Sequence, residues 1–475
     1  MSLRAGSWLA MAGLSLVAII SIGPVESVGA QTKSGSATEK VRPIKERVLP
    51  GGYPDKPSLP ATWTIPVEPL GFSPPGQLYL GQRNTLVSLD FIDENRLLFT
   101  FRVPGLIRRE LKAGETGDSD ERKIRALVLT LPDGNVEAEG LWTVHDRARY
   151  LWTLKDGHFL LRDENNLQQG DVHLVLKPLL QFPGELLGLE LDPSQQYIVS
   201  NSLEPAATPS KAGQVGSPAT AAATMTQDSQ SSSSIGGSNV GSNVGSDSST
   251  EPSGEAAPER TDTVVRILRR DTGKVMLVSR VRNSVHLPIN SDGYLETLRG
   301  RGEDWVLNLN YFTGGSRILG HVSSTCAPNN MFLSQQEVLV AGCDNSGSRK
   351  LVAVTTDGRT LWDDLNPETA VWPLWTPSPD GRRLIQETLA STHPVNAYAP
   401  LGSGDLKGQV VRVIDAATGE LAFESPASPM LDSGGNAAIS PSSRRVAVLH
   451  GGAIQVFELP APPPLPDASV QPPAH

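Results

Sequence analysis

Eight histidines, two cysteines and a few charged clusters carry most of the reactive chemistry in this 475-residue chain. The histidines stand at 145, 158, 173, 286, 321, 393, 450 and 475, in no metal-ligand spacing, so only a site assembled by the fold could use them. The sequence has neither His-Glu-x-x-His nor the Gly-x-Ser-x-Gly elbow of an α/β hydrolase. No catalytic residue, metal ligand or cofactor is therefore assigned. The binding candidates are His145, Asp146, Arg147 and Arg149, which crowd charge into one short stretch, with His286 and Asn436. Trp372 and Trp375 offer flat faces on which a sugar could stack. Cys326 and Cys343 are too few for a four-cysteine zinc site or a disulfide-dense scaffold.

These residues must be positioned by strands, because short apolar runs separated by turn residues dominate the chain and helical periodicity is scarce. One hairpin recurs seven times, with turns near 93, 156, 192, 292, 335, 380 and 442. Its clearest copies run from Leu374 through Ser378-Pro379-Asp380-Gly381 to Ile385, and from Leu187 through Asp192-Pro193-Ser194 to Val199. Without a 59-residue polar insert at 204–262 the mean spacing is about 48 residues, within the ~40–50 of a four-stranded propeller blade. A second hairpin lies between these turns, as at Pro132-Asp133-Gly134, Asp271-Thr272-Gly273 and Thr356-Asp357-Gly358. Its glycines supply the positive φ that tight turns need. The expected fold is all-β, a seven-bladed β-propeller over 61–459 made of four-stranded antiparallel blades, with a disordered insertion in blade three. The last blade lacks a strand, which 61–67 or 77–80 should supply from the other end of the chain.

The motifs Ser-Pro-Asp-Gly-Arg-Arg-Leu at 378–384 and Asp-Ala-Ala-Thr-Gly-Glu-Leu at 415–421 resemble the WD40-like and YVTN-like β-propellers of secreted bacterial proteins. That resemblance implies the fold and leaves function open. Thr356 to Trp362 also resembles the tryptophan-bearing repeat of quinone-dependent dehydrogenase propellers, in a single copy.

In such a ring the loops between second and third strands share a face with the loops joining blades. The insertions at 104–123, 204–262 and 391–408 all fall there, as does 143–149, and insertions gather on binding faces. First strands line the channel, so Arg149, His286 and Asn436 are expected near its mouth. Cys326 and Cys343 would lie opposite each other if the fifth turn centres between Ser334 and Gln335. A turn shifted by one residue would leave two thiols out of register.

Arg4, the apolar run Trp8–Ile22 and Val28-Gly29-Ala30 have the layout of a signal peptide over 1–30. A flexible leader is expected over 31–60 and a proline-rich tail over 460–475. A secreted or periplasmic protein follows, with no transmembrane segment after cleavage. The formal net charge of -10 argues against a nucleic-acid partner. The leading expectation is a non-catalytic binding or interaction module for an unknown protein or small-molecule ligand. The alternative is a propeller enzyme, lactonase-like or quinone-dependent dehydrogenase-like.

Overall fold

The computed structural model describes residues 47–49, 51–76, 87–103, 122–145, 149–205, 261–282, 285–344, 347–395 and 401–463. The expected signal peptide, most of the long insert, Asp146, Arg147, the alternative closing segment 77–80 and the tail from 464 onwards lie outside these residues. Seven antiparallel sheets follow one another along the chain and make a seven-bladed propeller.

Blade one consists of Ser88–Asp93, Arg96–Arg102, Arg122–Thr130 and Asn135–Val144. Blade two has Leu151–Thr153, Phe159–Asp163, Asn166–Gly170 and Leu176–Gln181. Blade three has Glu185–Leu191, Tyr197–Pro205, Thr261–Arg269 and Val275–Val281. In blade four the first strand shrinks to a bridge from Ile289 to Tyr294 ahead of Gly293–Arg299, Asp304–Tyr311 and Ser316–Ser323. Blade five contains Asn329–Phe332, Glu337–Asp344, Gly347–Thr355 and Thr360–Leu365. Blade six contains Ala370–Pro377, Arg383–Ser391, Leu406–Asp415 and Leu421–Ala427. Blade seven takes Ala437–Ile439, Arg445–His450 and Ala453–Glu458 from the C-terminal end. Its outer strand is Trp63–Pro66, antiparallel to Ala453–Glu458, so the chain closes its own ring as the 61–67 expectation required.

The core is divided among the seven joints between blades. Leu89, Phe91, Ala447 and Ile454 pack between blades seven and one, and Ile124, Tyr150 and Phe159 between one and two. Leu160, Leu186 and Ile198 fill the next joint. Val199, Ile267 and Ile289 form the small cluster between blades three and four. Leu307 and Val338, then Leu351 and Leu384, then Val413 and Phe457 complete the circuit. Each wedge buries the inward residues of two neighbouring sheets, so a blade alone would leave both of its faces wet.

Two boundaries differ from the sequence reading. Glu204 pairs with Asp262 and Pro205 with Thr261, so the insert begins and ends two residues inside the limits expected for it. Glu204 is buried and accepts hydrogen bonds from Arg266 and Ser202, partners that a compositional scan cannot see. The leader also meets the ring well before residue 60. Arg47–Val48 adds a parallel fifth strand to blade five, and the Ser58 N–H donates to the Glu424 carbonyl of blade six. Between them Tyr53 lies where a side chain on Gly408 would sit, since a Cβ there would be 2.1 Å from its ring.

Cys326 and Cys343 are joined, with their Cα atoms 5.4 Å apart. The ladder pairs Phe332 with Val338 and Asn329 with Ala341, which centres the turn on Gln335. The strand begins only at Asn329, and the Thr325 N–H donates to the Cys343 carbonyl. That departure from the ladder brings Cys326 within reach despite the shift. By loop length, breaking this bond should remove about 3 kcal/mol of stability. Thermal denaturation with and without reductant checks it: the reduced protein is expected to melt several degrees lower, and identical transitions would refute a stabilising bond.

Candidate functional site

Glu387 is a buried acid held by the turn that leads from blade six into blade seven. It lies in the second strand of blade six, opposite Leu374, and is 6% exposed. The turn into blade seven wraps its carboxylate, which accepts the N–H groups of Gly435 and Asn436 at 3.3 Å each. Gly435 has a φ of 100°, and a Cβ there would meet the Val87 carbonyl oxygen at 2.1 Å. Only glycine lets this turn press between blades six and one.

Asp90, in the first strand of blade one, and Arg149, just ahead of blade two, complete an electrostatic group with Glu387. Burial pushes the Glu387 carboxyl up to about 7; the two N–H groups and Arg149 oppose this, and Asp90 adds to it. Burial likewise pushes Asp90 up to about 6, against the hydrogen bond from the Ser88 hydroxyl and the charge of Arg149. Crowding by protein lowers the Arg149 pKa, with Asp90 and Glu387 pulling the other way. Arg149 is nonetheless open to solvent, and water screening weakens that lowering. Its guanidinium donates to the Leu151 carbonyl and lies 5.4 Å from the Trp152 ring.

Beside these charges the first strand of blade six bulges. Val371 pairs with Leu389 and Leu374 with Glu387, which leaves Trp372 and Pro373 out of register. Trp372 has a φ of 50° and is 40% exposed. A bulky residue in the left-handed region costs on the order of 1–3 kcal/mol and persists where its surroundings impose it. One such constraint is the blade six insertion, where Val395 packs on Val371 and Leu389 and donates its N–H to the Glu368 carbonyl.

A second polar group lines the opposite part of the ring. His286 places Nδ1 2.6 Å from a Glu190 carboxylate oxygen and Nε2 2.5 Å from the Asn330 carbonyl. Both nitrogens therefore face acceptors, and only the doubly protonated ring satisfies both. Burial disfavours that charge, but Glu190 and the Asn330 carbonyl outweigh it and raise the pKa. His286 thereby links blades three, four and five beside the small Val199–Ile289 cluster.

The remaining candidates divide. His145 bonds Asp163 through both its backbone N–H and Nδ1, at 3.0 Å each, a local tie between blades one and two. Trp375 packs in the joint between blades five and six, away from the bulge that carries Trp372. Asn436 is fully buried, and its amide nitrogen donates to Gln409 and to the Pro429 carbonyl. It belongs to the frame that holds the Glu387 turn. Asp90 and Glu387 are the members of this charged group that sequence reasoning missed. The signal for Glu387 was a charge inside the strand Arg383–Ser391, whose residues are all buried.

No family model matches the chain, and no curated protein matches it. Among solved structures it is similar to the uncomplexed acylaminoacyl peptidase of Pyrococcus horikoshii, at 7% identity and a TM-score of 0.40 over 79% of this chain and 51% of that one. It is also similar to the β-propeller domain of the trilobed protease from Pyrococcus furiosus, at 9% identity and a TM-score of 0.38 over 79% of this chain and 95% of that one. The chain thus spans about half the length of the peptidase it matches. The seven sheets establish the fold, and these distant likenesses add nothing about function.

Proposed function

We propose that this protein is an exported binding module whose propeller takes a small amine-bearing ligand beside Trp372. The observation that carries the reading is an exposed, strained tryptophan one bulge away from a sealed carboxylate. Asp90 and Glu387 outnumber Arg149 in charge when both are ionised, and each is held above its ordinary range. A cation arriving there relieves the repulsion between them, and an aromatic face adds attraction for it. Export rests on the signal-peptide layout, with the Cys326–Cys343 bond as a supporting feature. Likeness to secreted bacterial propellers of the WD40-like and YVTN-like kind belongs to the same proposal.

The test is fluorescence titration with a panel of primary amines and short basic peptides, comparing the wild type with Trp372→Phe. A hit should quench the wild type more than the variant. Its affinity should rise about tenfold between pH 6 and 8 as Glu387 ionises, in keeping with one charge-assisted contact. Glu387→Gln should abolish that rise. No quenching across the panel, or equal quenching in Trp372→Phe, would overturn the reading. Two buried carboxyls, both pushed above their ordinary range, also favour a second reading, an acid–base enzyme. Turnover of a bound amine or ester would distinguish it.

A further inference from the structure

Arg149 is a cation fixed at its root and open at its tip. Its Nε donates to the Leu151 carbonyl at 3.0 Å, and its guanidinium carbon lies 5.4 Å from the Trp152 ring. Among the described residues neither Nη nitrogen has an acceptor, and no carboxylate lies within ion-pair distance of it. The side chain is exposed, so two parallel N–H donors are presented to solvent in a fixed position. Asp90 and Glu387 nonetheless act on this charge. The three groups are near enough to influence one another and do not pair.

The two acids differ in access. Glu387 is sealed, and each of its oxygens is already capped by a backbone N–H. Asp90 is partly exposed; its Oδ2 accepts the Ser88 hydroxyl at 2.5 Å, and its Oδ1 has no hydrogen-bond partner among the described residues. An apolar surface adjoins these charges. Leu374 is exposed, and its Cδ1 and the Glu387 carboxylate both lie against Gly434, where a Cβ would stand 2.9 Å and 3.1 Å from them. Trp372 is exposed on the same strand.

A simple amine on Asp90 would leave the Arg149 fork unused and would stand beside a like charge. A carboxylate on the same ligand removes both defects, since it accepts the two Nη donors in parallel and screens the ammonium from the guanidinium. We infer that the site beside Trp372 takes a zwitterion of the amino-acid class, with its ammonium on Asp90, its carboxylate on the Arg149 fork and its apolar side chain against Trp372 and Leu374. The inference rests on the amine-binding reading above and makes Arg149 the residue that selects among amines.

Isothermal titration of the full chain at pH 7 tests this with three probes of one skeleton. Phenethylamine carries the ammonium alone, 3-phenylpropionate the carboxylate alone, and L-phenylalanine both. The wild type should bind L-phenylalanine about tenfold tighter than phenethylamine, the size of one charge-assisted contact, and 3-phenylpropionate most weakly. In Arg149→Gln, L-phenylalanine should bind about tenfold more weakly while phenethylamine binds more tightly, because a repelling charge has gone. General damage to the site would weaken both. Arg149→Lys should keep part of the preference, since an ammonium retains the charge without the fork. Equal wild-type affinity for phenethylamine and L-phenylalanine, or equal weakening of both in Arg149→Gln, would overturn the zwitterion and leave the amine reading standing. No binding of either ammonium-bearing probe, or 3-phenylpropionate binding as tightly as L-phenylalanine, would overturn both.

Discussion

Ile65→Ala is expected to cost about 3 kcal/mol, within the ~2–5 that truncating a buried isoleucine removes. Ile65 is 4% exposed and sits in the closing strand of blade seven. It packs in the cluster shared with blade one, and a Cβ on Gly134 of that blade would lie 2.5 Å from it. The side chain therefore fastens the two ends of the ring to each other. Thr64→Ala, on the exposed face of the same strand, should leave stability within ~0.5 kcal/mol of wild type. Removing 61–67 altogether takes away Ile65 and Val67 and strips blade seven of its outer strand, so cooperative unfolding should weaken further. Urea denaturation of the three variants checks the order. An Ile65→Ala variant as stable as the wild type would mean that the strand does not close the ring.

The ring itself was legible in the sequence because its turns announce themselves. Ser378-Pro379-Asp380-Gly381 and Asp271-Thr272-Gly273 carry side-chain caps and positive φ that few other structures require. Even the missing strand of blade seven could be inferred, since a ring with an unpaired edge needs a donor from the far end of the chain. What stayed hidden depends on contacts distant in sequence. Glu204 reads as the start of a polar insert until Arg266, 62 positions on, is seen to cover it. Arg47 reads as linker until the buried Asp364 gives it a place. The candidate site was half visible for the same reason. Arg149 and Trp372 stand out by type, whereas Asp90 and Glu387 gain their character from burial and from each other. Asn436 was expected as a binding residue near the channel mouth, and its side chain holds the frame of the Glu387 turn.

Arg383→Ala should be the most damaging change to a single charged side chain, with an expected loss of ~3–5 kcal/mol. Arg383 is 1% exposed and fans its guanidinium across three separate pieces of chain. Nε donates to Asp415 on the neighbouring strand at 2.9 Å, Nη1 to the Ser443 carbonyl in the first turn of blade seven at 2.8 Å, and Nη2 to the Pro460 carbonyl at 2.7 Å. One planar, always-charged group thus ties blade six to blade seven and pins the start of the proline-rich tail. Arg382 extends the same hold by donating to the Pro462 carbonyl. Truncation leaves two carbonyls without their donor and the Asp415 carboxylate buried with no counter-charge, which is why the cost exceeds that of the hydrogen bonds alone. Arg383→Ala combined with Asp415→Asn should recover part of the loss, since the stranded charge is gone while the carbonyls still lack a donor. Arg383→Lys should fall between wild type and alanine, because an ammonium keeps the charge and cannot reproduce the planar three-way fork. Chemical denaturation of the wild type and these three variants, with Asp415→Asn alone to complete the cycle, gives the coupling directly. A loss below about 1 kcal/mol for Arg383→Ala, the level of an exposed ion pair, would show that this joint is held by its apolar wedge of Val413, Phe423 and Phe457 instead.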